Sequence, residues 1–181
     1  MSDFLPSEYE VPASNSGYMK FEQGENRFRI MSSPILGWEY WTDDNGKRKP
    51  NRRKMTDPRP DSITDPTEYV HFWAMIVWNY KVERIQILEI KQSSIQRTLR
   101  ALAKDADWGS PVQSYDLVVT RTGEKLDSKY QVLPKPAKKL DPGIVQLYED
   151  MEIDLDQLYV GGDPFKAKDE RLVEEVFKVT K

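Results

Sequence analysis

The sequence has no cysteine and one histidine, His71, in 181 residues. Without thiols there are no disulfides, no thiolate zinc sites and no cysteine nucleophile, and a solitary imidazole leaves little from which to build a histidine-based metal or catalytic site. Long apolar runs are missing too: nothing reaches the roughly 18 consecutive apolar residues of a membrane span. The opening Met1-Ser-Asp-Phe-Leu-Pro lacks the basic-then-apolar pattern of a secretory leader. A soluble, intracellular protein without cofactor or metal is expected. Glycine is sparse, and Gly24, Gly123 and Gly161-Gly162 read as turn positions rather than a phosphate cradle.

Against these absences stands a concentration of positive charge. Six of the eight residues from 47 to 54 are basic (Lys47, Arg48, Lys49, Arg52, Arg53 and Lys54), and they follow the aromatic segment Trp38, Tyr40, Trp41. Cations beside rings suit single-stranded nucleic acid, because phosphates attract cations and unpaired bases stack on flat surfaces. Bulk charge does not explain the cluster, since the formal net charge is −3. Divided at Leu140, the chain has 22 Lys+Arg against 19 Asp+Glu before the cut and 5 against 11 after it. A body that meets a polyanion, followed by an acidic segment that competes with it or recruits partners, fits that asymmetry; so does an acidic helix that only adds solubility.

Residues 1–16 mix Pro, Ser, Asn and acids without a period and are expected to form a mobile leader. Alternation over residues 26–31 puts Arg27 and Arg29 on one face of a strand, and both are expected to contact phosphate. The strand resumes over 35–41, with Gly37 placed for a sharp bend, giving one long coiled first strand. Residues 42–68, with Asp-Asn-Gly, several prolines and the basic cluster, read as a long functional loop. A second strand over 69–80 (YVHFWAMIVWNY) is apolar on both faces. Val70, Phe72, Ala74, Ile76 and Trp78 are expected in the core, with Trp73 on the opposite face as a stacking platform and His71 as a satisfied polar neighbour rather than a ligand or general base. A hairpin leads to a third strand over 84–91. A helix capped by Ser93 or Ser94 follows, with Ile95, Leu99, Leu102 and Ala103 as its apolar stripe. Strands over 115–122 and 128–133 complete the order strand, strand, strand, helix, strand, strand.

That order fits a mainly β fold, a five-stranded Greek-key OB-fold barrel with one helix between strands 3 and 4. It would span residues 17–136, with the basic loop 42–68 between strands 1 and 2. The loop between strands 4 and 5, Thr122 to Asp127, has Arg121, Lys125 and Lys129 at its edges, so two distant basic segments would face one groove, and Tyr130 on the fifth strand is a further stacking candidate. Of Trp38, Tyr40 and Trp41, alternation lets only some face a ligand, the others packing in the barrel rim. Residues 137–181 form an acidic, partly helical extension. Its Glu149, Asp150, Glu152, Asp154 and Asp156 are interspersed with Ile144, Val145, Leu147, Tyr148, Met151, Ile153 and Leu155, and Leu172, Val173, Val176 and Phe177 follow. Amphipathic helices that dock on a partner or pack back on the barrel would produce this pattern. The acids lack the histidine, general base and glycine loop that a two-metal nuclease site would require.

The stretches FEQGENRFRIMSSPILGWEYW, HFWAMIVWNY, RIQILEIKQSSIQRTLRAL, DWGSPVQSYDLVVTRTG and KYQVLP, in that order, resemble the single-stranded DNA-binding proteins of tailed bacteriophages, distantly the T4-type helix-destabilising proteins. The resemblance implies a non-enzymatic OB-fold protein that coats single strands during replication, recombination and repair in the cytoplasm of a bacterial host. It implies an acidic C-terminus that contacts replication or recombination proteins, here Glu149 to Asp156, in a monomer or weak homo-oligomer. The zinc module of the T4-type proteins does not carry over, because its cysteines are absent. An OB-fold RNA-binding protein and a protein-interaction module without nucleic acid are the alternatives.

Overall fold

Alternating apolar residues in the middle of the chain build a mixed sheet that is apolar on both sides, and both sides are covered. The structure, a computed structural model, describes residues 17–166 and is mainly β. Its strands are β1 (Tyr18–Met19), β2 (Gly24–Ile30), β3 (Ile35–Asp44), β4 (Lys47–Lys54), β5 (Val70–Asn79), β6 (Arg84–Ile90), β7 (Asp116–Thr122) and β8 (Lys129–Pro134). Helix α1 (Ser93–Lys104) separates β6 from β7; α2 (Pro142–Met151) and α3 (Gln157–Val160) follow the sheet. The leader expected at residues 1–16 and the apolar residues Leu172, Val173, Val176 and Phe177 lie outside the described residues.

Strand β5 is the hub. Its two halves take β3 (Leu36 opposite Trp73) and β2 (Arg29 opposite Trp78) along one edge, and β6 runs along the other. β2 and β3 are thus one coiled strand, interrupted at Ser33-Pro34. The interruption stays in the ladder because the Ser32 hydroxyl accepts the Ile76 N–H at 2.9 Å while Met31 N–H donates to Ile76 O. On its far edge β2 pairs with β7, which pairs with β8. The sheet does not close into a barrel: its order is β1-β6-β5-β2-β7-β8, with β1 running parallel to β6 at the open edge.

The basic stretch is a strand, not a loop. β3 and β4 form an antiparallel hairpin in register from Gly37↔Lys54 to Asp44↔Lys47. Asn45 and Gly46 turn it with φ of 49° and 80°, the two positive values a type I′ turn requires. Gly37 is needed for closeness rather than bending, since a Cβ there would lie 2.1 Å from Arg53 O. Helix α1 is not capped by Ser93 or Ser94, both of which lie inside it: its N-cap is Gln92, with no side-chain cap bond.

Two cores result. On the inner face, Phe28, Ile30, Met75, Val77, Leu88, Ile90, Leu117 and Val119 pack with Ile95 and Leu99 of α1. On the outer face, Phe72, Ala74, Ile76, Ile85 and Ile87 pack beneath Leu140, Leu155 and Leu158. The set Val70, Phe72, Ala74, Ile76, Trp78, expected as the core, is therefore a second core roofed by the acidic extension, apart from Val70, which is exposed. The principal core uses the opposite face.

Candidate nucleic-acid interface

Because side chains alternate along a strand, the β3–β4 hairpin sorts its six cations between two faces. Lys47, Lys49 and Arg53 lie on the inner side with Trp38 and Tyr40; Arg48, Arg52 and Lys54 lie on the outer side with Glu39 and Trp41.

The inner side holds a run of rings. Trp38 stacks on Tyr69 with centroids 5.0 Å apart and planes 9° from parallel, and Tyr40 follows at 6.2 Å from Tyr69. The Arg53 guanidinium sits 5.9 Å from the Tyr40 ring while donating to Pro58 O at 3.0 Å. In the other direction Trp38 meets His71 at 5.1 Å. His71 Nδ1 donates to Gly37 O at 2.8 Å and Nε2 accepts from Trp73 Nε1 at 3.1 Å, which assigns the ring its Nδ1-protonated tautomer and makes it the link between Trp38 and Trp73. Burial pushes the Tyr69 phenol above its ordinary pKa. These rings are half-buried, and Lys47 and Lys49 beside them are exposed. Tyr69 escapes sequence reading because its role depends on the antiparallel register of β3 against the start of β5, Trp38 opposite His71 and Glu39 opposite Val70.

The outer side is largely committed to the fold. Arg52 lies 3.0 Å from Glu39 and 2.8 Å from Glu89, and Lys91 pairs with Glu39 and, at 3.6 Å, with Glu89. The Glu39 side chain is 2% exposed. Burial pushes Glu89 up to about 7, and its hydrogen bond with Glu39 adds to the rise. Burial works to raise Glu39 too, but bonds with Glu89 and Lys91 and the charge of Arg52 bring it below the ordinary carboxylate value. Arg52, expected on phosphate, is thus an internal counter-ion. Lys54 lies over the Tyr159 ring at 5.6 Å. Arg48 and Trp41 do remain exposed, the guanidinium 5.6 Å from the indole centroid.

Arg27 and Arg29 share a face as alternation requires, but that face meets Asp116. Arg29, 1% exposed, donates to Asp116 Oδ1 at 2.6 Å and to the carbonyls of Gln113 and Lys138. Arg27 donates to Asp116 Oδ2 through Nε and Nη2. Tyr80 completes the site: burial, then its bond to Asp116, lifts the phenol to about 12. Burial tends to raise Asp116, yet bonds from Tyr80, Arg29 and Arg27 hold it low. Arg29 is a structural cation, and Arg27 is anchored beside it.

The second basic segment lies at the β7–β8 end of the sheet. Arg121 donates to Phe21 O at 3.0 Å, and Tyr130 packs on the Phe21 ring at 6.0 Å. Lys125 and Lys129 are exposed around the turn between β7 and β8. Arg121 and Tyr130 share a cleft of about 410 Å³ with Lys20, Phe21, Lys91 and Gln92. The Lys91 ammonium also lies 6.0 Å from the Trp41 ring, so it connects this cleft to the outer side of the hairpin. Lys20 and Lys91 carry no distinguishing pattern in sequence; only the pairing of β1 with β6 brings them there.

The acids of the extension divide as well. Glu149, Asp150, Glu152 and Asp156 are exposed, whereas Asp154 accepts from Asp156 N and Gln157 Nε2 and so shapes the entry to α3. No group of three or more His, Asp or Glu among the described residues is arranged to hold a metal ion, and none of the described helices is long and apolar enough to cross a membrane. The chain matches no protein-family model and no curated protein.

Proposed function

We propose that this chain is a sequence-tolerant single-stranded DNA-binding protein, non-enzymatic, that coats strands exposed in phage-type replication, recombination and repair. The observation that carries the proposal is the inner side of the β3–β4 hairpin, where Trp38, Tyr69 and Tyr40 form a run of rings bordered by Lys47, Lys49 and Arg53. Rings accept any base and cations accept the backbone, so this combination gives affinity without sequence preference. Trp41 with Arg48, and the cleft of Arg121 and Tyr130, offer further contacts of the same chemistry. An OB-type topology is the architecture we infer: β2 pairs with both β5 and β7, β6 follows β5, and one helix separates them from the β7–β8 hairpin, here without barrel closure. The exposed acids Glu149, Asp150, Glu152 and Asp156 are the surface proposed for a basic replication or recombination partner.

Titration with single-stranded DNA, duplex DNA and single-stranded RNA, followed by tryptophan fluorescence across a salt series, tests the proposal. Quenching and tightest binding are expected with single-stranded DNA. Replacing Lys47, Lys49 and Arg53 together with alanine should reduce the magnitude of the log-log salt slope by about 2, at roughly 0.7 for each phosphate no longer neutralised. No quenching by any oligonucleotide, or an unchanged slope in the triple variant, would overturn it.

A further inference from the structure

We propose that helix α1 extends the single-strand track beyond the hairpin, its exposed Arg97, Arg100 and Lys104 holding the phosphates of nucleotides that pass the Trp73 end of the ring run. The inference rests on the single-strand-binding reading above and adds a second, physically separate segment to it.

The sequence of α1, SSIQRTLRALAK, contains three cations and no acid. A helix that is merely solvated carries Glu–Lys pairs at i, i+4 and acids in its first turn, where they offset the helix dipole. Neither feature is present: the first turn has no acid, and no N-cap side chain bonds to it. Arg97, Arg100 and Lys104 fall at i, i+3 and i+7, one stripe on the face opposite buried Ile95 and Leu99. All three are exposed, and none forms an ion pair with a described residue. The acids that follow lie past the helix end, where Asp105 accepts the backbone N–H groups of Asp107 and Trp108.

Position gives the stripe its meaning. Arg100 and Ala103 line an apolar cleft with Leu36, Trp73 and Pro111, and Leu36 is 40% exposed. Trp73 is the ring that His71 ties to Trp38. Gln96 of the same helix donates to Ile90 O and, at 3.5 Å, to His71 O, which fixes α1 against the strand that carries the rings. From Arg53 to Arg100 the surface therefore runs cation, Tyr40, Tyr69, Trp38, His71, Trp73, cation, with Asp57 beside Arg53 and Tyr40 at the hairpin end. A base in the Leu36–Trp73 cleft would leave its phosphate beside Arg100, and the stripe then covers about 10 Å along the helix toward either neighbour.

The test uses the full chain and a triple variant, Arg97→Gln, Arg100→Gln and Lys104→Gln, because glutamine keeps helix propensity. Oligothymidylates of about 5 and about 15 nucleotides, near the limits one OB-type domain covers, are titrated over a salt series. With the long oligomer the variant should lose about 2 from the magnitude of the salt slope and bind at least tenfold more weakly at low salt; with the short oligomer, which the hairpin alone accommodates, affinity should change less than twofold. An unchanged slope on the long oligomer, with the short one still bound, overturns the helix track alone. Failure of the wild-type chain to bind either oligomer overturns the single-strand reading and this inference with it. Far-ultraviolet circular dichroism and a melting curve check that the variant is folded; should it unfold, the charge reversal Arg100→Glu alone must weaken the long oligomer selectively, and equal loss on both lengths would also overturn the track.

Discussion

Arg52 and Arg53 are adjacent in sequence and opposite in consequence. Arg53 projects beside Tyr40, held by a bond to the Pro58 carbonyl and in no ion pair with a described residue, whereas Arg52 sits between Glu39 and Glu89. Arg52→Met should therefore leave the salt slope of DNA binding unchanged while destabilising the fold by about 3–5 kcal/mol, the usual consequence of removing one partner from a buried ion pair; urea denaturation alongside the titration separates the two effects. Glu89 gives a pH signature. Its folded pKa, about 7, lies above the ordinary carboxylate value, so the folded state holds a proton that the unfolded state releases. Stability from this group is fully present below about 4.5 and is lost as pH rises through about 7. Asp116 and Glu39, both lowered, act in the opposite sense and only at more acid pH. Glu89→Gln should thus flatten the fall in melting temperature between about pH 5 and about pH 7, measured by scanning calorimetry; an unaltered fall would assign it to other groups.

At the level of elements, the hairpin and the acidic extension each differ from the simplest sequence expectation. The Asn-Gly pair that turns the hairpin is a strong local signal, but prolines and charge on its C-terminal side disguise β4 as loop, because an edge strand exposed to water needs no apolar alternation. The extension is legible in part: Ile144, Val145, Tyr148, Met151 and Ile153 do pack against the outer core. Its acidity resides where it packs, with seven acids and one lysine in residues 141–166 against four acids and four basic residues in 167–181. A tail that lies in the DNA groove and is displaced by the strand does not describe residues 141–166, since Leu155 and Leu158 are 8% and 5% exposed under the sheet's outer face. Truncation after Leu140 would uncover Phe72, Ala74 and Ile76 rather than release a competitor. Leu158→Ala should cost about 2–5 kcal/mol by denaturant unfolding, as deletion of a buried leucine does, with DNA affinity of the folded fraction unchanged; a cost below about 0.5 kcal/mol would mean that the extension is not part of the core.

For the whole molecule, the sequence by itself, while leaving β1 and β4 unmarked, determined the order of the strands that alternation reveals, the mainly β class, the single helix before the last two strands and the concentration of cations next to rings. These are local properties: alternation, turn residues and helical spacing are written within a few positions of one another. Only the tertiary structure decided which cations are available. Arg29 and Arg52 look like Arg53 and Arg100 until Asp116, Glu39 and Glu89 arrive from other strands and neutralise the first two. It likewise decided that the sheet has two covered faces and an open edge, because burial of a face depends on what else the chain has left to lay against it. A charge in sequence is only a supply of charge; long-range pairing in a water-poor interior determines whether it is consumed by the fold or left for a ligand.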